Sequence, residues 1–264
     1  MVEMEKKQAK ATSPMIHSSA KIAENVEIGP WSVIGENVEI DSGTWIGPHV
    51  VIRGPTKIGK NNKIYQFASI GDNPQIVGDW GKNSRLEMGD NNVIREYCTI
   101  NRGAEIGGGV TRIRNNNLFM AYVHIAHDCQ IGNNNIFVNN ASLAGHVVVE
   151  NYAVIGVFAG IHQFCTIGSH SFLGHAAMIS KDVLPYLMVV GSTPSVYGLN
   201  TVGLKRRGFT PETIRILRQA YSIIFRKNLT TTQALVKLEK LVEKCPEVQL
   251  FIDGIKKSTR GILR

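Results

Sequence analysis

The 264-residue chain is 43 % hydrophobic and 19 % charged, which places it among ordinary globular proteins of one large or two modest domains. No apolar run approaches the roughly 18 residues of a spanning helix, so no membrane span is expected. The formal net charge of +8 points to an anionic partner. With 7 % aromatics and no nucleic-acid recognition motif, that partner is expected to be an acidic protein or a phosphate-bearing substrate, not nucleic acid. The four cysteines (Cys98, Cys129, Cys165, Cys245) show no paired spacing. Free thiols in the core of a reduced, cytoplasmic protein are the expectation.

In chain order, residues 1–14 are polar and lysine-rich with no apolar stretch, and read as a flexible N-terminal extension, not a secretory signal. From Ile16 an isoleucine recurs every six residues, at 22, 28, 34, 40, 46, 52, 58, 64 and 70. Neither a helix nor an alternating strand repeats at six with one residue type. Hexapeptide periodicity belongs to parallel β-helices. Each hexad is then a short strand and a turn, and three hexads make a triangular coil of about 18 residues. The isoleucine points inward and stacks on the next coil, about 4.8 Å away. Gly, Asn and Asp suit the corners, which need positive φ. The pattern resembles left-handed parallel β-helices, an exception to the usual right-handed crossover.

The frame breaks after Ile70 into a polar excursion over residues 72–87, then resumes at Met88, Ile94, Ile100 and Ile106. Gly107-Gly108-Gly109-Val110 reads as a one-residue shift of register, after which the frame runs from Ile113 to Ile179. The count is 26 hexads, close to nine coils, and the β-helix is assigned to 15–191. Loops that interrupt a rigid solenoid are where binding residues are expected. Residues 192–264 are assigned to a small C-terminal helical domain. A Gly-rich basic segment over 195–209 comes first. Thr210-Pro211-Glu212 is a helix start. A second helix spans Thr231 to Lys244, and a third begins near Val248.

Six of the eight histidines fall between His124 and His175. His124, His127, His146 and His162 occupy outward positions on neighbouring coils, so the cluster is expected to line a cleft between protomers. Two chemistries suit it. Zinc binding would use three histidines. Only His170 and His175 have a suitable spacing, and the tract near Asn134 supplies no third ligand, so no metal is assigned. General-base catalysis would use His127, whose neighbour Asp128 can hold the imidazole tautomer. Gly145, about one coil on, offers an unobstructed N–H to an oxyanion.

His124-Ile125-Ala126-His127-Asp128-Cys129, Leu143-Ala144-Gly145-His146, His162-Gln163-Phe164-Cys165 and Gly203-Leu204-Lys205-Arg206-Arg207-Gly208-Phe209 together resemble the UDP-N-acetylglucosamine 3-O-acyltransferases that start lipid A synthesis. Ile64 to Gly71 and Ser258-Thr259-Arg260-Gly261 match as well, so the resemblance covers about residues 15 to 264. It implies a homotrimer with active sites between subunits and no cofactor. Acyl-carrier protein would donate a (3R)-hydroxyacyl thioester. His127 would be the base, Asp128 its orienting partner and Gly145 the oxyanion donor. Gln75, His124, His146, His162 and Gln163 would bind sugar, phosphate or acyl donor. Asn200, Arg206 and Arg207 would hold the uridine diphosphate, arginine suiting phosphate through its planar fork. His175 would set the acyl-chain length, where many relatives have glycine. In the first loop Gln75 is followed by Ile76, Val77 and Gly78 instead of the family's Asp-Leu-Lys. The sugar contacts of that loop are then either missing or supplied by Asp79 and Lys82. Val202 replaces a glutamate in the nucleotide segment. The readings left open are the same transfer onto a 3-amino sugar nucleotide, and a non-catalytic β-helical binding protein.

Overall fold

The computed structural model describes residues 13–78 and 83–264. Residues 1–12 of the expected extension, and Asp79 and Lys82, lie outside the described residues. Among the described residues, strands of two to five residues wind into three sheets, parallel except for the last strand, that form the faces of a triangular prism. Sheet A has nine strands, from Met15–Ile16 to Met178–Ile179. Sheet B has eight, from Lys21–Ile22 to Thr166–Ile167. Sheet C has ten, the last of which, Ser195–Leu199, turns back antiparallel on Leu187–Val190.

The register follows the isoleucine frame, with Ile34 paired to Ile52 and Ile52 to Ile70. From Ile34 onward the framed residues fill the prism axis, and Ile46, Ile52, Ile58, Ile64 and Ile70 are fully buried, whereas Ile16 in the first strand is exposed. The position four after it carries the small inward residue, as at Val50, Ala68, Cys98, Cys129 and Ala159. Fully burying one such isoleucine contributes about 1.5–3 kcal/mol, and the column repeats that gain coil after coil. Buried Asn62, Asn92 and Asn117 form a ladder in which each side chain accepts the N–H of the next, which satisfies one row of corners. All four cysteines are buried and free. Burial pushes the Cys98 and Cys129 thiols up to about 12.

The two interruptions are loops on this scaffold. Ile70 pairs with Ile100 across the first, and Ile100 with Ile125 across the second. One expectation fails here. Ile106 is not a framed residue: it lies in a 3-10 turn, Glu105–Gly107, and is 90 % exposed. The next framed residue after Ile100 is Ile113, which pairs with Met88 and Ile131, so the second interruption is a bulge and not a shift of register.

The segment over 195–209 is more ordered than its composition suggests. It comprises the antiparallel strand Ser195–Leu199 and a short helix α1, Thr201–Arg206. Helix α2, Pro211–Phe225, starts with the Thr210 side chain accepting from Thr213 N and with proline at its first position. Helix α3, Thr231–Val242, opens on a capping box between Thr230 and Gln233. Helix α4, Gln249–Lys257, completes the set. These helices sit on the last coil through Tyr186, whose hydroxyl donates to Glu247 O and whose ring meets Phe251 edge-on. The chain end returns to the prism at buried Asp182, which accepts from Ser258 Oγ and Arg260 N.

Candidate active site

The corner between sheets A and B gathers the candidate catalytic residues. Three hexads there align as Ala126-His127-Asp128, Ala144-Gly145-His146 and His162-Gln163-Phe164. The third corner residue adopts the left-handed conformation in each, with φ of 61° at Asp128 and 62° at His146. That conformation recurs at most corners, as at Asn37, Asn61, Asn91 and Asn134, so it is a habit of this fold and not a local strain of the site.

His127 Nδ1 lies 2.8 Å from Asp128 Oδ2, and the same oxygen accepts the N–H of Ala104 at 3.0 Å. An oxygen already accepting one N–H takes the Nδ1 proton of His127 as well, which leaves Nε2 with its lone pair. Asp128 is 4 % exposed. Gly145 lies against the imidazole: a β-carbon there would stand 2.6 Å from His127 Cε1 and 2.7 Å from Nε2. Ala144 N and His146 N donate to Ile161 O and His127 O, whereas the N–H of Gly145 has no acceptor among the described residues. The His127 imidazole and a free backbone donor therefore face one space.

That space is a groove of about 590 Å³ lined by Gln75, His124, His127, Gly145, His162 and Met178, among others. His124 Nδ1 is 2.7 Å from Thr99 Oγ1, and burial together with the neighbouring His127 lowers its pKa. His146 stacks on Phe164 with ring centroids 4.4 Å apart and meets His127 edge-on. Burial lowers its pKa despite the opposing pull of Asp128. Gln163 is exposed beside His162. His127, Asp128 and His146 bring donor atoms within 4.8 Å of one another.

A second cavity of about 440 Å³ lies on sheet C, between Ile136, Val154, Phe172 and Met188 and helix α1. Asn200, Arg206 and Arg207 line it. Asn200 caps α1, accepting from Gly203 N and donating to His170 O. The Arg207 guanidinium lies 5.3 Å from the Tyr152 ring, and its buried Nη1 has no hydrogen-bond partner among the described residues. The His127 groove and the arginines thus occupy different faces of one chain. His175 is exposed on the edge between sheets C and A and lines neither cavity.

Two side chains at the groove were not singled out from sequence. Met178 lies over Gly160, whose β-carbon would be 2.9 Å from the Met178 sulfur. It occupies an ordinary outward hexad position, and nothing local marks it. Arg260 Nη2 reaches His162 Nδ1 at 3.2 Å from the far end of the chain. Its motif was visible, but the contact depends on the anchoring of the chain end at Asp182.

A family profile described as Udp N-acetylglucosamine O-acyltransferase, domain 2, matches residues 182–263. Bacterial transferase hexapeptide repeats match residues 37–72 and 110–145. The chain is 53 % identical over 250 residues to the acyl-[acyl-carrier-protein]–UDP-N-acetylglucosamine O-acyltransferase of Thiobacillus denitrificans, covering 95 % of this chain and 97 % of that protein. It is 52 % identical to the protein of the same name from Pseudomonas entomophila, with the same coverage. Among solved structures it resembles the UDP-N-acetylglucosamine acyltransferase of Francisella novicida, with a TM-score of 0.92 and 45 % identity over 96 % of this chain and 92 % of that one. The Moraxella catarrhalis UDP-N-acetylglucosamine O-acyltransferase gives 0.93 and 46 % over 96 % and 98 %. The expected architecture, a left-handed parallel β-helix followed by helices, is borne out.

Proposed function

Because the chain belongs to the acyl-[acyl-carrier-protein]–UDP-N-acetylglucosamine O-acyltransferase family, we propose that it moves a (3R)-hydroxyacyl chain from acyl-carrier protein to the 3-hydroxyl of UDP-N-acetylglucosamine, the first step of lipid A biosynthesis. The observation that carries the assignment of roles is the Asp128–His127 pair facing the unpaired N–H of Gly145 across one groove. His127 Nε2 takes the proton of the sugar hydroxyl. The oxygen attacks the thioester carbonyl, and the oxyanion that forms accepts from Gly145 N–H. Collapse breaks the carbon–sulfur bond, and the proton held by His127 passes to the departing thiol. Atoms and charge balance with no metal or cofactor. His124, His146, His162, Gln163 and Gln75 line or flank the path of sugar and donor. Arg206 and Arg207, framed by Asn200, take the diphosphate; the unpartnered Arg207 Nη1 supports this.

The groove and the arginine cavity lie on different faces of one prism. That separation supports a homotrimer in which the His127 face of one subunit meets the Arg207 face of its neighbour. In this division residues 15–191 supply the catalytic prism and residues 192–264 the nucleotide and carrier contacts. The assembly would work in the cytoplasm, where acyl-carrier protein is found.

General-base catalysis contributes about 10²–10⁴-fold. His127→Ala is expected to lose about that much turnover with its oligomeric size unchanged. Mixing His127→Ala with Arg207→Ala subunits, then dissociating and reassembling them, is expected to restore part of the activity. Activity of His127→Ala within threefold of the parent would overturn the base assignment, and an inactive mixture would overturn the shared cleft.

A further inference from the structure

The glycine-rich bulge over residues 103–109 interrupts the hexad frame, and its place in the fold explains why it is there. It leaves the prism one coil below the catalytic corner and returns at Val110. Gly107 N and Gly109 N both donate to Ala104 O, which folds the bulge back on itself. Gly103 permits that closure, since a β-carbon there would overlap the Gly109–Val110 peptide. The closed bulge rests on the acid of the dyad. Ala104 N donates to Asp128 Oδ2, the oxygen that also faces His127 Nδ1. Gly107 lies against both Asp128 and His146, and a β-carbon at Gly107 would overlap Asp128 Oδ2 and His146 Cε1 together. Among the described residues the other contacts of Asp128 are its N–H, which donates to buried Thr111 Oγ1 at 2.8 Å, its carbonyl, which accepts from Gln130 Nε2, and His146 Nε2, 4.0 Å from Oδ2.

We propose that Gly107 is a positioning residue of the acyl-transfer reaction: its missing side chain lets the bulge close on Asp128, which holds the His127 imidazole in its reactive orientation. The proposal rests on the assignment of His127 as base. Gly108, next in the chain, is the control. Its φ of 109° also favours glycine, yet a β-carbon there would meet nothing within 4 Å. Gly108→Ala therefore strains the bulge without touching the dyad.

The test compares steady-state kinetics and melting of the parent, Gly107→Ala, Gly108→Ala, Asp128→Ala and Gly107→Ala/Asp128→Ala in acyl transfer from a hydroxyacyl-carrier protein. Gly107→Ala is expected to lower kcat by about 10²-fold or more, a share of what the base supplies, with KM for the sugar nucleotide within threefold of the parent. Gly108→Ala is expected to keep kcat within fivefold. Because Gly107 acts through Asp128, adding Gly107→Ala to Asp128→Ala is expected to cost less than a further threefold. Gly107→Ala within threefold of the parent overturns the proposal, and so does a loss that persists in full in the Asp128→Ala background. Should Gly107→Ala not fold while the double variant does, the overlap with Asp128 is confirmed. If neither folds, Gly107 serves the fold alone and the proposal falls. A parent that transfers no acyl chain would instead overturn the functional reading on which the proposal rests.

Discussion

Met178 stands where the floor of the groove stops being small. Along sheet A the outward positions run from His124 to Ser142, Gly160 and Met178, each one coil further from the base. Gly160 leaves room for a hydrocarbon chain, and the Met178 thioether closes over it. Each buried CH₂ contributes about 0.8 kcal/mol, nearly fourfold in preference per carbon, so the residue that ends such a groove sets the donor. His175 lines neither cavity of the single chain, so a role in chain length requires the proposed homotrimer to extend the groove to it. The parent is expected to prefer donors of fewer than about fourteen carbons, and His175→Gly and Met178→Gly are each expected to accept longer ones. Rates with hydroxyacyl donors of graded length decide this. An optimum shared by parent and both variants would remove both residues from the role.

At the scale of the element, the edge between sheets B and C shows how corner residues tie the prism to the helices. His170 is stacked between Tyr152 and Tyr186, with Phe209 edge-on. Burial, aided by the Arg207 charge, lowers its pKa to about 4 from the ordinary 6.5. Above pH 6.5 it is neutral in both folded and unfolded chains and has no effect on stability. As pH falls from 6.5 towards 4 the unfolded chain binds a proton that the folded chain does not, so stability declines across that window. His170→Phe keeps a ring in the stack, and phenylalanine already occupies left-handed corners at Phe67 and Phe164. The melting temperature of the parent is expected to drop between pH 7 and 4 more steeply than that of His170→Phe; parallel curves would show that His170 is not responsible. The elements themselves were legible where one physical signal dominates. A strict isoleucine column can only be an inward row, and Thr210-Pro211-Glu212 announces a helix start. Ile106 misled because it satisfies the count while sitting in the bulge. Helix α1 was hidden by Gly203 and a run of cations, and its cap depends on Asn200 held by the distant His170 carbonyl. The dyad and Gly145 were readable because they are close in sequence or one coil apart. Gly107, Met178 and Arg260 were not, since each acts through a contact that only the wound chain creates.

Over the whole molecule the charge is uneven. Residues 192–264 hold 14 of the 29 Lys and Arg but only 5 of the 21 Asp and Glu, so the positive excess lies in the helical domain. An acidic acyl-carrier protein is therefore expected to be steered there, beside the arginine cavity, by an attraction that is screened beyond about 8 Å at physiological salt. KM for the acyl-carrier protein is expected to rise with added salt and on reversing Lys256 and Lys257 to glutamate, while KM for a short acyl-pantetheine donor stays flat. Equal salt dependence for both donors would contradict docking on this domain.

The central claim is that this chain joins a hydroxyacyl group to a sugar nucleotide through His127. Its most direct test is mass analysis of the product formed from (3R)-hydroxyacyl-carrier protein and UDP-N-acetylglucosamine by the parent and by His127→Ala, with the 3-amino sugar nucleotide as a parallel acceptor. The expected result is a 3-O-acyl ester from the parent, one free carrier thiol per ester, and almost none from the variant. No ester from the parent, acylation of the 3-amino acceptor alone, or an undiminished yield from His127→Ala would contradict the account.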